Sequence, residues 1–187
     1  MSGTSTSITL VGTAALLIVG HAAGESPSPA SRDAIPEQMP FDVPYGTPIT
    51  LERAEAAISA AVAEARKRNW KMNVAVVDSG GNLVAFQRMD GAQLASIQVA
   101  EHKARAAAIF RRETKVWEDA MASGANYVLT VDGVQATRGG LPLIEQGKLI
   151  GAIGCSGGAS PQDEVVCKAG AATVRQTPVQ RASVPTR

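Results

Sequence analysis

The chain has 187 residues, 45% of them apolar and 19% charged, a composition typical of a globular protein with one domain and flanking segments. Lysine and arginine total 18 against 17 acidic residues, so no overall basic field exists to hold nucleic acid or anionic lipid. We therefore expect no nucleic-acid partner and no membrane contact beyond export. Aromatic residues make up only 4%, so a flat ligand would lie mainly against aliphatic walls.

The first residues of the chain predict an export signal. An uncharged apolar stretch, residues 8–20, precedes the first charged side chain, Glu25. It is shorter than the roughly 20 apolar residues that a membrane-spanning helix needs, and small residues follow it. We place signal cleavage after Gly24, with a retained N-terminal anchor as the alternative because no Lys or Arg precedes the stretch. The expected location is periplasmic or extracellular.

Three segments follow the predicted signal peptide of residues 1–24. Residues 25–49 are rich in proline and read as an extended arm or linker, whose alternating apolar side chains favour docking on its own domain or on a neighbouring subunit. Residues 50–175 carry the patterns of a folded domain. Residues 176–187 lack apolar periodicity and are predicted to be a disordered tail.

Helical periodicity recurs through the domain, and the predicted helices end at capping or turn residues. The helices span residues 51–69, 92–111, 115–123 and 160–175. Thr50 and Ser160 are expected to cap the first and last of them, and Gly124 to close the third. The second helix is rich in alanine, so another backbone or a flat ligand could approach it closely.

Two β-hairpins are predicted from runs of β-forming residues joined by glycine-containing turns. They pair residues 73–78 with 83–88, and 141–144 with 149–154, and residues 127–131 also look strand-like. Gly151 and Gly154 are spaced to face opposite sides of their strand. Hairpins separated by helices favour an α+β fold in which helices pack on an antiparallel β-sheet.

Cys155 and Cys167 are the two cysteines of the chain. In an oxidising compartment they can pair, since the first lies at a strand end and the second in the following helix. The alternative is two separate buried thiols.

Three segments agree in order and spacing with one known family. They are Val74-Ala75-Val76-Val77-Asp78-Ser79-Gly80-Gly81-Asn82-Leu83-Val84, Arg88-Met89-Asp90-Gly91-Ala92-Gln93-Leu94-Ala95-Ser96-Ile97, and Gly139-Gly140-Leu141-Pro142 leading to Gly151-Ala152-Ile153-Gly154-Cys155-Ser156-Gly157-Gly158. Residues 50–174 thereby resemble the GlcG/HbpS-like family of haem-binding proteins, which is related to the C-terminal domain of PduO-type corrinoid adenosyltransferases. The resemblance implies a profilin- or PAS-like fold, homo-oligomers, and haem or, alternatively, a corrinoid as ligand.

Two residues are candidates to ligate a haem iron. His102 carries an imidazole that can bind iron axially, although a lone histidine in a helix is more often exposed or partly packed. The hydroxyl of Thr114 could reach the iron as a weak ligand, and capping of the next helix is the more conservative interpretation.

Other candidates would hold the anionic groups of a ligand. Arg111 and Arg112 could pair with haem propionates, and their alternative role is a cationic helix end. Arg138 is a further candidate because Gly139 and Gly140, which follow it, let the backbone come near a ligand.

Asp163 and Glu164 offer hard oxygen ligands for iron or another cation, but carboxylates are also favoured in the first turn of a helix. The glycine-rich run from 154 to 158 does not match a phosphate-binding loop. Since no catalytic triad or paired-histidine spacing is evident, we expect a binding protein rather than a catalyst.

The sequence therefore predicts an exported homo-oligomer that holds haem near the alanine-rich helix and the glycine-bearing hairpin, for scavenging, storage or redox sensing. A second hypothesis is a catalytic or accessory subunit acting on haem, a corrinoid or a small organic acid. A third is a structural oligomer in which the arm clasps a neighbour.

Overall fold

The computed structural model describes residues 35, 37–39 and 41–176, and the unit that begins at Gln38 carries the helices and strands. The elements are α1 (Leu51–Lys67), β1 (Asn73–Asp78), β2 (Leu83–Arg88), α2 (Ala95–Ile109), α3 (Lys115–Ala122), a 3-10 helix (Asn126–Thr130), β3 (Gly140–Glu145), β4 (Lys148–Ser156) and α4 (Ser160–Gln176). The predicted signal peptide and residues 177–187 of the predicted tail lie outside the described residues. Within them, no helix combines the length and apolarity needed to span a membrane.

The four strands form one antiparallel sheet in the order β2-β1-β4-β3, which confirms the predicted α+β fold. Both predicted hairpins are present. Gln146 and Gly147 join β3 to β4 with φ angles of 50° and 74°, and a two-residue turn of this type requires positive φ at both positions. Because of the strand order, β2 and β3 are the two edges of the sheet.

Helices cover both faces of the sheet. α1 and α4 pack side by side on one face and enclose the larger core with side chains such as Ile58, Val74 and Ile153. α2 packs on the other face through a row of alanines, among them Ala100 and Ala104. Successive side chains of β1 point to opposite faces of the sheet, so they pack in two separate cores, one on each face.

The alanines of α2 bring its backbone close to β4. A Cβ atom added to Gly154 would lie 2.1 Å from the Ala100 carbonyl oxygen, whereas one added to Gly151 would lie 3.0 Å from Ile49 Cγ2 in the opposite core. The two glycines therefore face opposite sides of β4, as predicted. The space between α2 and this strand is filled by the protein itself, so a haem near the hairpin must lie elsewhere.

Helix ends differ in detail from the prediction. Thr50 caps α1, since its hydroxyl accepts a hydrogen bond from the Arg53 amide at 3.5 Å. The prediction that Ser160 caps α4 was wrong, because Ser160 is already the first residue of the helix. The free amides of Gly158 and Ala159 instead donate to the side chains of Asp163 and Gln162, at 3.0 and 2.9 Å.

The prediction of a strand at 127–131 was wrong. The segment forms a 3-10 helix in which amide groups bond three residues back, as from Val128 to Ala125 and from Val131 to Val128. Val128 is buried, whereas Tyr127 and Leu129 are exposed. A short apolar run that resembles a strand therefore folds here as a short helix that presents one side chain to the core.

A disulfide and a set of backbone hydrogen bonds to the arm complete the fold. Cys155 and Cys167 form a disulfide with Cα atoms 5.6 Å apart, which ties β4 to α4.

Residues 41–49 of the arm dock on their own domain, where the Leu149 amide donates to Pro44 O at 2.8 Å and the Gly46 amide donates to Leu149 O at 2.7 Å. The intramolecular form of the docking prediction is thereby confirmed for this part of the arm.

Candidate ligand-binding groove

A groove of about 550 Å³ follows the free edge of β3, and we call it the β3-edge groove. It is lined by Glu113, Leu141, Pro142, Ile144, Lys168 and Ala171. Since consecutive strand residues point to opposite faces, a groove lined by 141, 142 and 144 must wrap around the edge of the sheet. Its volume lies in the range of about 300–1,000 Å³ that is usual for sites of small organic ligands.

The floor of the β3-edge groove is apolar, and its two charged residues come from different elements. Lys168 lies on α4 with 55% of its side chain exposed, and its ammonium donates to Glu164 at 2.6 Å. Glu113 follows α2 and is exposed. Within the described part of the chain, its carboxylate has no hydrogen bond or ion pair.

Glu164, which pairs with Lys168, also pairs with Arg138, so the charged side chains form a network behind Lys168. The Arg138 side chain donates to Glu118 at 2.7 Å and to Glu164 at 3.4 Å, and its backbone amide also donates to Glu118. Burial would raise the pKa of Glu118, but the hydrogen bonds from Arg138 outweigh burial and hold that pKa below its ordinary value. Arg138 is thus held by protein carboxylates, and its predicted contact with an anionic ligand stays a prediction.

A buried ion pair fixes the start of β3. Lys103 and Asp163 lie 2.7 Å apart with side chains only 2% and 3% exposed, and Lys103 also donates to Cys155 O at 3.2 Å. Burial raises the pKa of Asp163, while the Lys103 ammonium opposes that rise. The pair joins α2 to α4 across the end of the sheet.

The two glycines after Arg138 make this junction possible. Gly139 has a φ of 113°, and a Cβ atom there would lie 2.8 Å from Asp163 Cβ. A Cβ atom on Gly140 would lie 2.3 Å from Lys103 O. The close neighbours that require glycine are therefore protein atoms, and a ligand contact at either glycine stays a prediction.

Thr114 is fully buried beside Glu113. Its hydroxyl accepts a hydrogen bond from the Gly140 amide at 2.9 Å, and its own amide donates to Gly140 O at 3.0 Å. It makes no side-chain cap to α3, so the capping interpretation was wrong. Its hydroxyl faces the strand start, and its role as an iron ligand stays a prediction.

Arg111 and Arg112 are occupied by the arm. The Arg112 guanidinium lies over the Phe41 ring at 3.2 Å and over the Trp117 ring at 4.2 Å, and burial lowers its pKa. Arg111 lies over the Tyr45 ring at 5.4 Å and donates to Val43 O at 3.0 Å. Neither arginine lines the β3-edge groove, and their pairing with propionates stays a prediction.

The predicted metal ligands are not brought together. His102 is exposed on α2, while Asp163 and Glu164 are paired with cations. Among the residues that the structure describes, no group of three His, Cys, Asp or Glu side chains could hold a metal ion. Ligation by His102 stays a prediction about a bound haem.

Sequence reasoning missed Glu113 and Lys168, which line the groove, and Lys103, which supports it. Lys103 and Asp163 are 60 residues apart, so no local pattern connects them. A signal for Lys168 was present, because it follows Glu164 by four residues on a helix, where opposite charges meet.

Comparison with known proteins agrees with this architecture. A family model described as "Haem degrading protein HbpS-like" matches residues 49–172. Protein GlcG of Escherichia coli (strain K12) is 39% identical over 108 residues, which is 58% of this chain and 81% of GlcG.

Solved structures extend the comparison. The crystal structure of a double mutant of HbpS from Streptomyces reticuli has a TM-score of 0.63 at 32% identity, and covers 74% of this chain and 95% of that chain. The crystal structure of a PduOC–haem complex has a TM-score of 0.62 at 27% identity, and covers 68% of this chain and 95% of that chain. This chain therefore belongs to the GlcG/HbpS-like family of haem-binding proteins and is related to PduOC.

Proposed function

We propose that this chain is an exported protein that binds haem in the β3-edge groove. The observation that carries the proposal is the groove itself, an apolar floor with one free carboxylate and one cation at its sides. Haem is a flat apolar ring with two carboxylates at its rim and a cation at its centre. The groove offers a complement to each of these three features.

The residues that line the groove fit this ligand. Leu141, Pro142 and Ile144 give an aliphatic surface for the ring, as the scarcity of aromatic residues led us to expect. The Lys168 ammonium donates to Glu164, and its side chain is 55% exposed, so it can also pair with a propionate, since a charged donor forms a strong hydrogen bond with a carboxylate. Glu113 contributes a carboxylate to the residues that line the groove. The bound haem would supply a redox-active iron.

The comparisons support the same ligand class, since one solved relative is a haem complex and the matching family model carries haem in its description. The role of the bound haem in this chain is scavenging, storage or redox sensing. Scavenging and storage need a groove from which the ligand can exchange with solvent, and the β3-edge groove lies at the surface.

Export to the periplasm or the cell exterior is part of the proposal. The Cys155–Cys167 disulfide supports it, because disulfides persist mainly in oxidising compartments. Assembly into homo-oligomers is also proposed, and the free sheet edges are surfaces through which copies could associate.

Haemin titration of the full chain, followed in the Soret region, tests the proposal. We expect saturable one-to-one binding that Ile144→Glu weakens by tenfold or more, because a charge would then occupy the apolar floor. Leu129→Glu, at an exposed apolar position away from the groove, is the matched control and should bind as the natural protein does. Absence of a saturable Soret shift, or equal affinities for both variants, would contradict the proposal.

A further inference from the structure

Two grooves adjoin each other at the C-terminal end of α1. One measures about 370 Å³ and lies between the end of α1 and the end of β2. The other measures about 340 Å³ and lies beside the loops that precede α2 and α4. Both are lined by Asn69, Trp70 and Lys71, so together they form one elongated depression, which we call the α1-end groove.

Three cations line the α1-end groove, namely Arg66, Lys71 and Arg88. Among the residues that the structure describes, none of the three side chains has a hydrogen bond or an ion pair. Arg68, which lies next to them on the chain, differs because it is paired with Glu64 at 2.7 Å. The groove therefore keeps three positive charges that are available to an anion from outside.

The charge balance of the lining favours an anion with several charges. Asp90 is the acidic residue among the described residues of the lining, so the three cations outnumber it. Arg88 and Lys71 are exposed, and an exposed ion pair contributes little because water screens it. A ligand with one charge would thus be held weakly, whereas a ligand with charges at intervals can pair with several cations at once.

The shared part of the groove has a fixed backbone, because α1 ends in a Schellman motif. The Asn69 amide donates to Arg66 O at 3.1 Å, and the Trp70 amide donates to Ala65 O at 2.9 Å. Asn69 has a φ of 54°, the left-handed conformation that the motif requires at this position. The chain that carries Lys71 is therefore held in place before a ligand arrives.

The Lys71 ammonium lies where the two grooves meet. A Cβ atom on Gly91 would lie 3.0 Å from Lys71 Nζ and 3.1 Å from Lys71 Cδ, so the lysine side chain extends along this glycine. Gly91 has a φ of 74° and lines the second groove. A Cβ atom on Gly157 would lie 2.2 Å from Lys71 O, so a second loop fixes the lysine backbone.

The start of α2 adds to the positive potential of the groove. Gln93, which lines the second groove, lies just before this helix. The first turn of α2 contains no acidic residue, and Leu94 gives it no side-chain cap. The positive end of the helix dipole is therefore not neutralised within the helix, and it favours negative charge nearby.

We propose that the α1-end groove binds a soluble polyanion built from linked phosphate groups, with Arg66, Lys71 and Arg88 contacting different phosphates. Guanidinium and ammonium groups form charge-assisted hydrogen bonds with phosphate oxygens. Linked phosphates carry charge on every unit, so they match cations that are spread along an elongated depression. The site is separate from the β3-edge groove, since the two linings have no residue in common among those described.

Isothermal titration calorimetry of the full chain with tripolyphosphate, at low ionic strength, tests the proposal. We expect saturable one-to-one binding, about tenfold or more tighter than that of orthophosphate, which reaches fewer cations. Lys71→Gln and Arg88→Gln should each weaken tripolyphosphate binding about three- to tenfold. Lys148→Gln is the matched control, because Lys148 is exposed between β3 and β4 and has no ion pair among the described residues, and it should bind as the natural protein does.

Two further measurements separate the alternatives. Haemin affinity should be the same in Lys71→Gln as in the natural protein, so failure of one site is distinguishable from failure of the other. Vesicles of phosphatidylglycerol should not co-sediment with the protein, since a flat bilayer cannot enter a groove. Lys71-dependent co-sedimentation would overturn the soluble ligand in favour of lipid headgroups. Absence of saturable tripolyphosphate binding, or equal affinities in Lys71→Gln and Lys148→Gln, would overturn the site itself.

Discussion

The two edges of the sheet carry grooves of similar size but different chemistry. The β3-edge groove measures about 550 Å³, and a groove between β2 and α1, which we call the β2-edge groove, measures about 490 Å³. The second is lined by Leu51, Glu55, Ile58, Ser59, Ala85, Phe86 and Gln87. It also has apolar walls and a carboxylate. Among the described residues that line it, however, none is cationic.

This difference shows that shape alone does not identify the site. Both grooves could accept a flat apolar ring, but the β3-edge groove alone pairs a cation with a free carboxylate within its lining. It is also the more strongly supported edge, because the Lys103–Asp163 pair and the disulfide both lie at the end of β4 that borders it. Support of this kind keeps a binding surface in place before the ligand arrives.

The largest expected effect comes from breaking the buried pair that supports the β3 edge. Lys103→Met leaves Asp163 buried and unpaired, and should lower the free energy of unfolding by about 3–5 kcal/mol. Adding Asp163→Asn should recover part of the loss, since the amide oxygen can still accept the Gly158 amide. Urea denaturation of the single and double variants measures both effects. A loss below about 1 kcal/mol in Lys103→Met would contradict this account of the edge.

Removal of the disulfide should have the next largest effect. The Cys155→Ala, Cys167→Ala double variant should lose about 2–4 kcal/mol of stability, because the unfolded chain is no longer constrained. Thermal unfolding of this variant, and of the natural protein with and without reductant, checks the value. An unchanged unfolding midpoint would show that α4 is held to β4 by packing alone.

The Arg138–Glu118 pair predicts a pH dependence. Because the pKa of folded Glu118 is lowered, its contribution to stability is complete above the ordinary glutamate pKa of about 4.3 and is lost as the pH falls through the folded value. Arg138→Met should lower the free energy of unfolding near neutral pH, and it should reduce the further loss of stability that the natural protein shows as the pH falls.

Glu118→Gln should also reduce the loss of stability at acid pH, because the titrating carboxyl group is then missing. Urea denaturation at several pH values between about 3 and 7 covers the ordinary glutamate range and tests both variants. If both variants lose stability at acid pH as the natural protein does, that loss comes from other carboxylates.

The smallest effect concerns the cation of the β3-edge groove. Lys168→Gln should weaken haemin binding about three- to tenfold, the size of one partly exposed ion pair, with little change in stability. Lys67→Gln, at a lysine on α1 that is 75% exposed, serves as the charge-matched control. Equal affinities in the two variants would remove Lys168 from the site.

The fold could be predicted largely because its signals are local. The strands at 73–78 and 83–88 are runs of β-forming residues on either side of a turn that contains glycine, and their predicted bounds match β1 and β2. The prediction for residues 127–131 failed because a run of five mostly apolar residues is compatible with a strand or with a 3-10 helix. Only the packing of Val128 against the domain distinguishes them.

The site was harder to predict because its parts are distant in sequence. Residues around 113, 141–144 and 168–171 meet only after the sheet edge, the α2–α3 corner and α4 have assembled. The predicted arginines were chosen for their charge, but Arg112 and Arg138 are already held by protein groups. Chemical type can be read from a sequence, whereas the partner of each group depends on the fold.

Hydrogen–deuterium exchange with and without haemin tests the central claim most directly, because it compares both edges in one experiment. We expect haemin to protect amides of β3 and of residues 168–171, and to leave β2 and the first turns of α1 unchanged. Protection of β2 and α1 without protection of β3 would place the ligand in the β2-edge groove and contradict the account.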